Sequence, residues 1–94
     1  MTKKYYVYIL GSYRPTLYIG VTNNLKNRIY QHKNSLIDGF SKKYKIYKLL
    51  YFEEYSDIYY AIKREKQIKK WNRLWKLELI KLKNPNLIDL YYQL

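Results

Sequence analysis

The sequence contains no cysteine and only one histidine among its 94 residues, which excludes several kinds of site. Without cysteine the chain has no disulfide, no thiolate nucleophile and no cysteine–zinc centre, and a single histidine argues against a structural zinc site. There is also no P-loop, dinucleotide fingerprint, HExxH or GxSxG motif. The absence of cysteine is compatible with a reducing compartment, and we expect the protein in the cytoplasm.

A long apolar run is also missing. A helix that spans a bilayer needs roughly 18–20 predominantly apolar residues, and no stretch of this sequence approaches that length. The first residues, Met-Thr-Lys-Lys, lead into a polar strand and not into a signal sequence. We therefore expect no membrane partner. A chain of this length predicts one domain that covers residues 1–94.

Acidic residues are scarce. Seven Asp and Glu residues stand against 19 Lys and Arg residues, so the formal net charge is +12. A chain this basic attracts polyanions, because each contact to a phosphate releases condensed counterions. We expect nucleic acid as the partner. The alternatives are a basic surface that serves only solubility, or an anionic membrane surface.

The residues that are present predict an α+β domain with the element order β-β-α-β-α-α. Tyrosines and β-branched residues predict three strands, over 4–10, 16–22 and 46–54. Capping residues and helical periodicity predict three helices, over 25–36, 57–71 and 73–83. The order favours a small, mainly antiparallel sheet covered by helices, with the apolar tail packed back on the body.

Glu65 interrupts the apolar stripe of the second predicted helix. The stripe consists of Ile58, Ala61, Ile62 and Ile68. A carboxylate that faces a core is costly unless it is paired or bound to a cation. A salt bridge to one of the many lysines, or a solvated border of the stripe, would explain Glu65. The functional alternative is a magnesium ligand, since Mg²⁺ often takes one carboxylate together with water and substrate oxygens.

His32, the single histidine, follows Arg28 by one helical turn. Its spacing with the apolar residues Leu25 and Ile29 is typical of a partly buried structural histidine. Alternatively, a guanidinium and an imidazole on one helix face can hold a phosphate and the charge that develops on it. With fourteen tyrosines in the chain, most tyrosines must be structural.

A run of cations follows Glu65 and surrounds two tryptophans, Trp71 and Trp75. The run consists of Lys63, Arg64, Lys66, Lys69, Lys70, Arg73 and Lys76. It is either a surface that tracks phosphates or a solvated helix face whose tryptophans pack inward.

Four blocks follow one another along the chain: Tyr6-Val7-Tyr8, Tyr18-Ile19-Gly20, TNNLKNRIYQH and REKQIKKWNRLWK. In this order they resemble the GIY-YIG nuclease superfamily, in particular its small stand-alone bacterial members related to the N-terminal cleavage module of an excinuclease. The resemblance implies a three-stranded antiparallel sheet flanked by helices. It also implies an endonuclease that depends on Mg²⁺ or Mn²⁺ and hydrolyses DNA phosphodiester bonds, in repair or recombination. The alternative is a non-catalytic nucleic-acid-binding module on the same fold.

By position, the resemblance assigns roles to individual residues. Tyr8 and Tyr18 are similar to the two motif tyrosines that face the scissile phosphate, Arg28 to the arginine that stabilises phosphate charge, and His32 to the histidine one turn later. Glu65 is similar to the single metal-binding glutamate. Phenol is a poor base at neutral pH, with a reference pKa near 10, so whether a tyrosine or His32 takes the proton stays open.

Further residues are expected to contact nucleic acid. These are Gly20, as the motif glycine that permits close approach, and the basic residues Lys42, Lys43, Lys69, Lys70 and Arg73. Asn84 matches an asparagine found late in the domain. Tyr6 replaces the glycine of the first motif, at a position that is not reactive. Since target choice in this superfamily usually comes from attached modules, we expect a protein partner to supply specificity, with the chain itself a monomer or weak homodimer.

Overall fold

In a computed structural model, the protein forms one three-stranded antiparallel sheet with helices on both faces. The structure describes residues 3–12, 16–34 and 48–94. The strands are β1 (Tyr5–Gly11), β2 (Leu17–Thr22) and β3 (Lys48–Tyr55). The helices are α1 (Leu25–Lys33), α2 (Ile58–Lys70) and α3 (Arg73–Lys83), followed by a short 3₁₀ turn at Leu90–Gln93. The predicted fold class and element order are confirmed.

Each helix begins at a polar residue whose side chain caps the first turn. Asn24, Asp57 and Asn72 accept hydrogen bonds from backbone N–H groups two or three residues further on, at 3.2, 2.8 and 2.9 Å. Such caps satisfy amide groups that have no partner within the helix. The predicted extension of the first helix to residue 36 and the predicted strand start at 46 lie outside the described residues.

β1 is the central strand, because the strand order is β2-β1-β3. Tyr8 of β1 lies opposite Gly20 on one side and Phe52 on the other. The β1–β3 register shifts between Ile9 and Leu10, so that Leu50 is left without a partner in a bulge.

Alternate residues of β1 face two separate cores, as the two-residue period of a strand requires. On one face, Val7 and Ile9 pack with buried residues of α2 and α3, namely Ala61, Ile68 and Ile80. On the other face, Tyr8 and Leu10 pack with Leu25 and Ile29 of α1. Among the helices of the described ranges, none has the length and apolar character needed to cross a bilayer.

The tail after α3 is attached to β3 by side chains. Asn84 is buried, and its Nδ2 donates to the carbonyl oxygen of Leu50 at 3.0 Å. Asp89 accepts a hydrogen bond from the backbone N–H of Leu49 at 3.0 Å and pairs with the ammonium of Lys33 at the end of α1. The tail therefore packs back on the body as predicted, and its polar side chains satisfy the backbone beside the bulge.

Candidate active site

A mainly polar, open pocket lies where α2 passes β2. Its lining consists of Tyr8, Tyr18, Ile19, Gly20, Val21, Arg28, Glu65 and Lys69. Four elements contribute to it: β1, β2, α1 and α2. The fold thus brings together six of the residues singled out in the sequence, although they span 62 positions of the chain from Tyr8 to Lys69.

Tyr8 is held at the floor of this pocket by its neighbours. Its side chain is 2% exposed, and its ring lies 6.2 Å from that of Tyr18 and 6.0 Å from that of His32, between centroids. A Cβ atom built on Gly20 would lie 2.4 Å from Tyr8 Oη and 2.5 Å from its Cζ. The glycine therefore makes room for the Tyr8 phenol, which is the group that approaches its backbone closely.

His32 lies behind Tyr8 and does not line the pocket. The imidazole is 3% exposed, and its Nε2 is 3.3 Å from Tyr8 Oη. Its Nδ1 is buried and has no hydrogen-bond partner within the part of the chain that the structure describes. The two residues of this pair are 24 positions apart in the sequence. The sequence offered two alternatives for His32, a buried structural residue or a residue of the site. In the structure His32 is buried and also contacts Tyr8 of the pocket.

Burial keeps both members of this pair uncharged at neutral pH. Burial raises the pKa of the Tyr8 phenol well above its usual value, the neighbouring Tyr18 adds to the increase, and the Arg28 charge opposes it. Burial, together with the nearby Arg28 charge, lowers the pKa of His32 to about 4. At pH 7 a neutral phenol in the pocket lining therefore contacts a neutral imidazole behind it.

Glu65 is 8% exposed and lines the pocket from α2. Its Oε1 lies 2.6 Å from the Nζ of Lys69, one turn further along the helix, and the two groups form an ion pair. The lysine salt bridge that the sequence allowed is therefore present. The same carboxylate also faces the pocket, as the metal-ligand alternative requires.

The donors in the pocket fit a cation such as Mg²⁺ held by one carboxylate. Residues 3–12, 16–34 and 48–94 contain no cluster of three or more His, Cys, Asp or Glu side chains. This speaks against an all-protein metal cage in that part of the chain. Mg²⁺ instead keeps several waters and uses one or two carboxylates plus substrate oxygens. The buried Glu65 carboxylate is suited to such a site, because its Lys69 partner is more than half exposed and can turn away from it.

The network around Glu53 holds α2 against β3 and so orients the segment that carries Glu65. The Glu53 carboxylate accepts hydrogen bonds from Arg64 Nε at 3.0 Å and from the hydroxyls of Tyr51 and Tyr55 at 2.5 and 2.7 Å. Burial would raise the pKa of Glu53, but these hydrogen bonds, that of Arg64 first, outweigh it and lower the pKa below the usual range. Arg64, which the sequence grouped with the surface cations, is thus an inward ion-pair partner.

Several predicted residues do not line the pocket. Asn84 is bound to β3, as described above, and Lys70 and Arg73 lie outside the lining. Lys42 and Lys43 fall outside the described residues. Ile19 and Val21 flank the motif glycine in the lining but were not among the predicted site residues. Their position next to Gly20 on a predicted strand was the available signal.

Comparisons with known proteins indicate the family and the fold of this chain. The family described as the GIY-YIG catalytic domain matches residues 4–78. A UPF0213 protein of Syntrophus aciditrophicus is 40% identical over 83 residues, which cover 87% of this chain and 94% of the relative. A UPF0213 protein of Clostridium perfringens is 42% identical over 79 residues, covering 84% and 85%. The solution NMR structure of a UPF0213 protein from Bacillus halodurans superposes with a TM-score of 0.58 at 24% identity, over 88% of both chains, and shows the same fold.

Proposed function

Since this chain belongs to the GIY-YIG family of nucleases, we propose that it is a metal-dependent endonuclease that hydrolyses DNA phosphodiester bonds in the pocket around Tyr8. The observation that carries this proposal is the convergence of two phenols, a guanidinium and a buried carboxylate on one open pocket. Phosphodiester hydrolysis needs positive charge on the phosphoryl oxygens, an oriented water and support for the leaving oxygen. The pocket offers a group for each of these needs.

Arg28 and Lys69 supply the positive charge of the protein itself. The Arg28 guanidinium can pair with two phosphate oxygens in its planar geometry. Lys69 neutralises Glu65 at 2.6 Å and is more than half exposed, so its long side chain can turn from the carboxylate to an incoming phosphate. Glu65 is then released to hold a cation. When bound there, Mg²⁺ or Mn²⁺ would supply Lewis-acid charge to the phosphate and to the leaving oxygen.

Tyr8 and His32 form a route for the proton of the attacking water. Tyr8 Oη accepts a proton from the water as its own proton passes to His32 Nε2, 3.3 Å away. The water oxygen forms the new bond to phosphorus, the bond to the leaving oxygen breaks, and that oxygen takes a proton from solvent. Neither group need be ionised beforehand, which accords with the raised pKa of Tyr8 and the lowered pKa of His32.

Bound substrate makes His32 a better proton acceptor. Part of the reason for its low pKa is the positive charge of Arg28. A phosphodiester anion paired with Arg28 offsets that charge, so the pKa of the imidazole rises when DNA is in place. Tyr18, whose ring lies 5.3 Å from that of His32, orients the phosphate beside this pair.

The test is DNA cleavage with and without Mg²⁺ or Mn²⁺ on linear, supercoiled, branched and single-stranded substrates. We expect cutting that requires the metal and that falls about 10²–10³-fold in Glu65→Gln, the range typical for removal of one electrostatic group. DNA binding by this variant should persist. Glu54→Gln, which changes an exposed glutamate outside the pocket, is the matched control and should cut like wild type.

The competing function is a nucleic-acid-binding module without turnover, and the same experiment separates the two. Wild-type protein that binds DNA but cuts no substrate under any metal condition would establish the binding module. Cutting that is undiminished in Glu65→Gln would remove Glu65 from the metal site.

A further inference from the structure

The outer face of α3 carries an apolar groove that the candidate active site does not use. The groove is lined by Trp71, Trp75, Glu78, Leu79 and Leu82. The sequence left open whether the two tryptophans pack inward. In the structure Trp75 is 54% exposed and Leu82 is 81% exposed, whereas Trp71 is half-buried against the core. We propose that this groove is a stacking platform for an unpaired nucleobase of single-stranded nucleic acid.

The two indoles form a rigid corner that suits a flat ring. Trp71 and Trp75 lie 6.0 Å apart between ring centroids, at an interplanar angle of 79°. The Arg64 guanidinium lies 5.1 Å from the centre of the Trp71 ring, and Glu53 holds that guanidinium in turn. Trp71 is therefore fixed before any ligand arrives, which reduces the ordering cost of binding. Stacking of bases on such exposed rings is the usual basis of single-strand recognition.

Glu78 selects the kind of ligand. It lines the groove and forms no ion pair with any residue in the described ranges. A carboxylate among apolar side chains disfavours a lipid tail and an acidic peptide. It favours a ring that is apolar on its faces and donates a hydrogen bond at its rim. Cytosine, adenine and guanine carry such an exocyclic amino group, and thymine does not.

Charge favours nucleic acid over a second copy of this chain as the occupant. Around the tryptophans, Lys70, Arg73, Lys76 and Lys81 form no ion pair within the described part of the chain. These cations would face one another across a symmetric dimer, where like charges repel, whereas they attract the phosphates of a strand whose base enters the groove.

The groove is connected to the candidate active site through α2. Trp71 is the C-cap of the helix that carries Glu65 and follows Glu65 by six residues. The inference rests on the proposed function in taking nucleic acid as the ligand. It adds that an unpaired base of the bound strand is held on α3, so the preferred substrate contains a single-stranded or flipped nucleotide.

The test compares binding of oligo-dC, oligo-dT and an abasic strand of equal length, all in EDTA so that metal-dependent cutting does not intervene. We expect wild type to bind oligo-dC at least about tenfold more tightly than the abasic strand. Trp75→Ala should bring that ratio close to one without changing affinity for the abasic strand. Tyr59→Ala, which removes an exposed tyrosine from the first turn of α2, is the control and should keep the ratio. In Glu78→Ala the preference for oligo-dC over oligo-dT should disappear.

Three results would overturn the platform. One is an equal loss of affinity for oligo-dC and the abasic strand in Trp75→Ala. Another is a base preference that is lost in Tyr59→Ala. The third is a wild-type dimer in sedimentation that Trp75→Ala dissociates, which would identify a second copy as the occupant. A base preference that depends on Trp75, without any DNA cutting, would support the platform and refute the nuclease. DNA cutting without a base preference would support the nuclease and refute the platform.

Discussion

Gly20 and Tyr8 face each other across the β1–β2 ladder, and each limits what the other can be. The phenol occupies the space where any side chain at position 20 would begin. The sequence predicts that the motif glycine permits close approach of a ligand. In the structure it also makes room for a contact within the protein. Because Tyr8 is buried and packed between Tyr18 and His32, it has little room to move aside.

We predict that Gly20→Ala displaces the Tyr8 ring and separates its hydroxyl from His32. The expected loss is about 1–3 kcal/mol in free energy of unfolding, the usual cost of overpacking, together with a tenfold or greater loss in cleavage rate. Gly11→Ala is the matched control, since its new Cβ would meet the buried Leu50 side chain and not Tyr8, and it should therefore lower stability without slowing cleavage. Urea unfolding and cleavage rates measure both effects. Equal losses of cleavage rate in the two variants would contradict the role given to Tyr8.

The contact between Tyr8 and His32 could not be predicted from the sequence, for a physical reason. Helical spacing places His32 on the same face as Leu25 and Ile29, and so predicts burial. Which strand residue meets the imidazole depends on how α1 packs on the sheet, and no local rule fixes that. The sequence could name both residues through family resemblance, but it could not say that one lies behind the other.

At the scale of elements, two adjacent residues of α2 have different roles. Glu65 is the candidate metal ligand, and the residue before it, Arg64, forms an inward ion pair. Arg64 points to Glu53 of β3, and Glu65 points to the pocket. Successive residues of a helix differ by about 100° in direction, so this split is what an α-helix provides. The Glu53–Arg64 pair therefore fixes the rotation of α2 and with it the direction of Glu65.

We predict that Glu53→Gln destabilises the protein by about 2 kcal/mol at pH 7, since hydrogen bonds to charged groups contribute about 1.5–3 kcal/mol. Because the pKa of Glu53 is lowered on folding, its contribution is complete above the unfolded-state pKa and is lost as the pH falls through the lower folded-state value. The gap in unfolding free energy between wild type and variant should thus be constant from pH 6 to pH 8 and shrink in more acidic solution.

Urea unfolding across this pH range is the measurement, and Glu54→Gln is the control. Glu54 is the next residue of β3 and is exposed, with a 3.5 Å pair to Lys4 and a 3.3 Å hydrogen bond from the Tyr6 hydroxyl. Its loss should change stability by less than about 1 kcal/mol. A gap for Glu53→Gln that widens on acidification would contradict the assigned direction of the pKa.

The elements themselves were largely predictable, and the faces of the helices were not. The helix starts could be predicted because capping is a local interaction, here made by Asn24, Asp57 and Asn72. Arg64 and Trp75, by contrast, lie at the borders of their apolar stripes, where spacing alone does not decide between core and solvent. Arg64 faces inward because it pairs with Glu53. Trp75 stays exposed because no element of the described structure covers it.

At the scale of the whole molecule, the net charge of +12 is concentrated in cations with no acidic partner in the described ranges, among them Lys70, Arg73 and Lys76. We predict that DNA affinity falls linearly with salt on logarithmic axes. For roughly five phosphate contacts on duplex DNA the slope would be about −4 to −5, and Lys70→Gln would reduce its magnitude by about one.

Affinity measured at several salt concentrations on two unrelated duplexes provides the check. The slope should be the same for both sequences, because phosphate contacts carry no base information. A flat salt dependence, or slopes that differ between the duplexes, would show that charge is not what holds the protein on DNA.

The attachment of the tail to β3 has a consequence for how the molecule avoids self-assembly. An edge strand with free N–H and C=O groups invites another chain to extend the sheet, which leads to aggregation. In β3, the N–H of Leu49 and the C=O of Leu50 are already bound by Asp89 and Asn84. Strand addition at this bulge would require the tail to detach first. The opposite edge strand, β2, lines the pocket. The tail thus covers one edge of the sheet, and the candidate active site lies at the other.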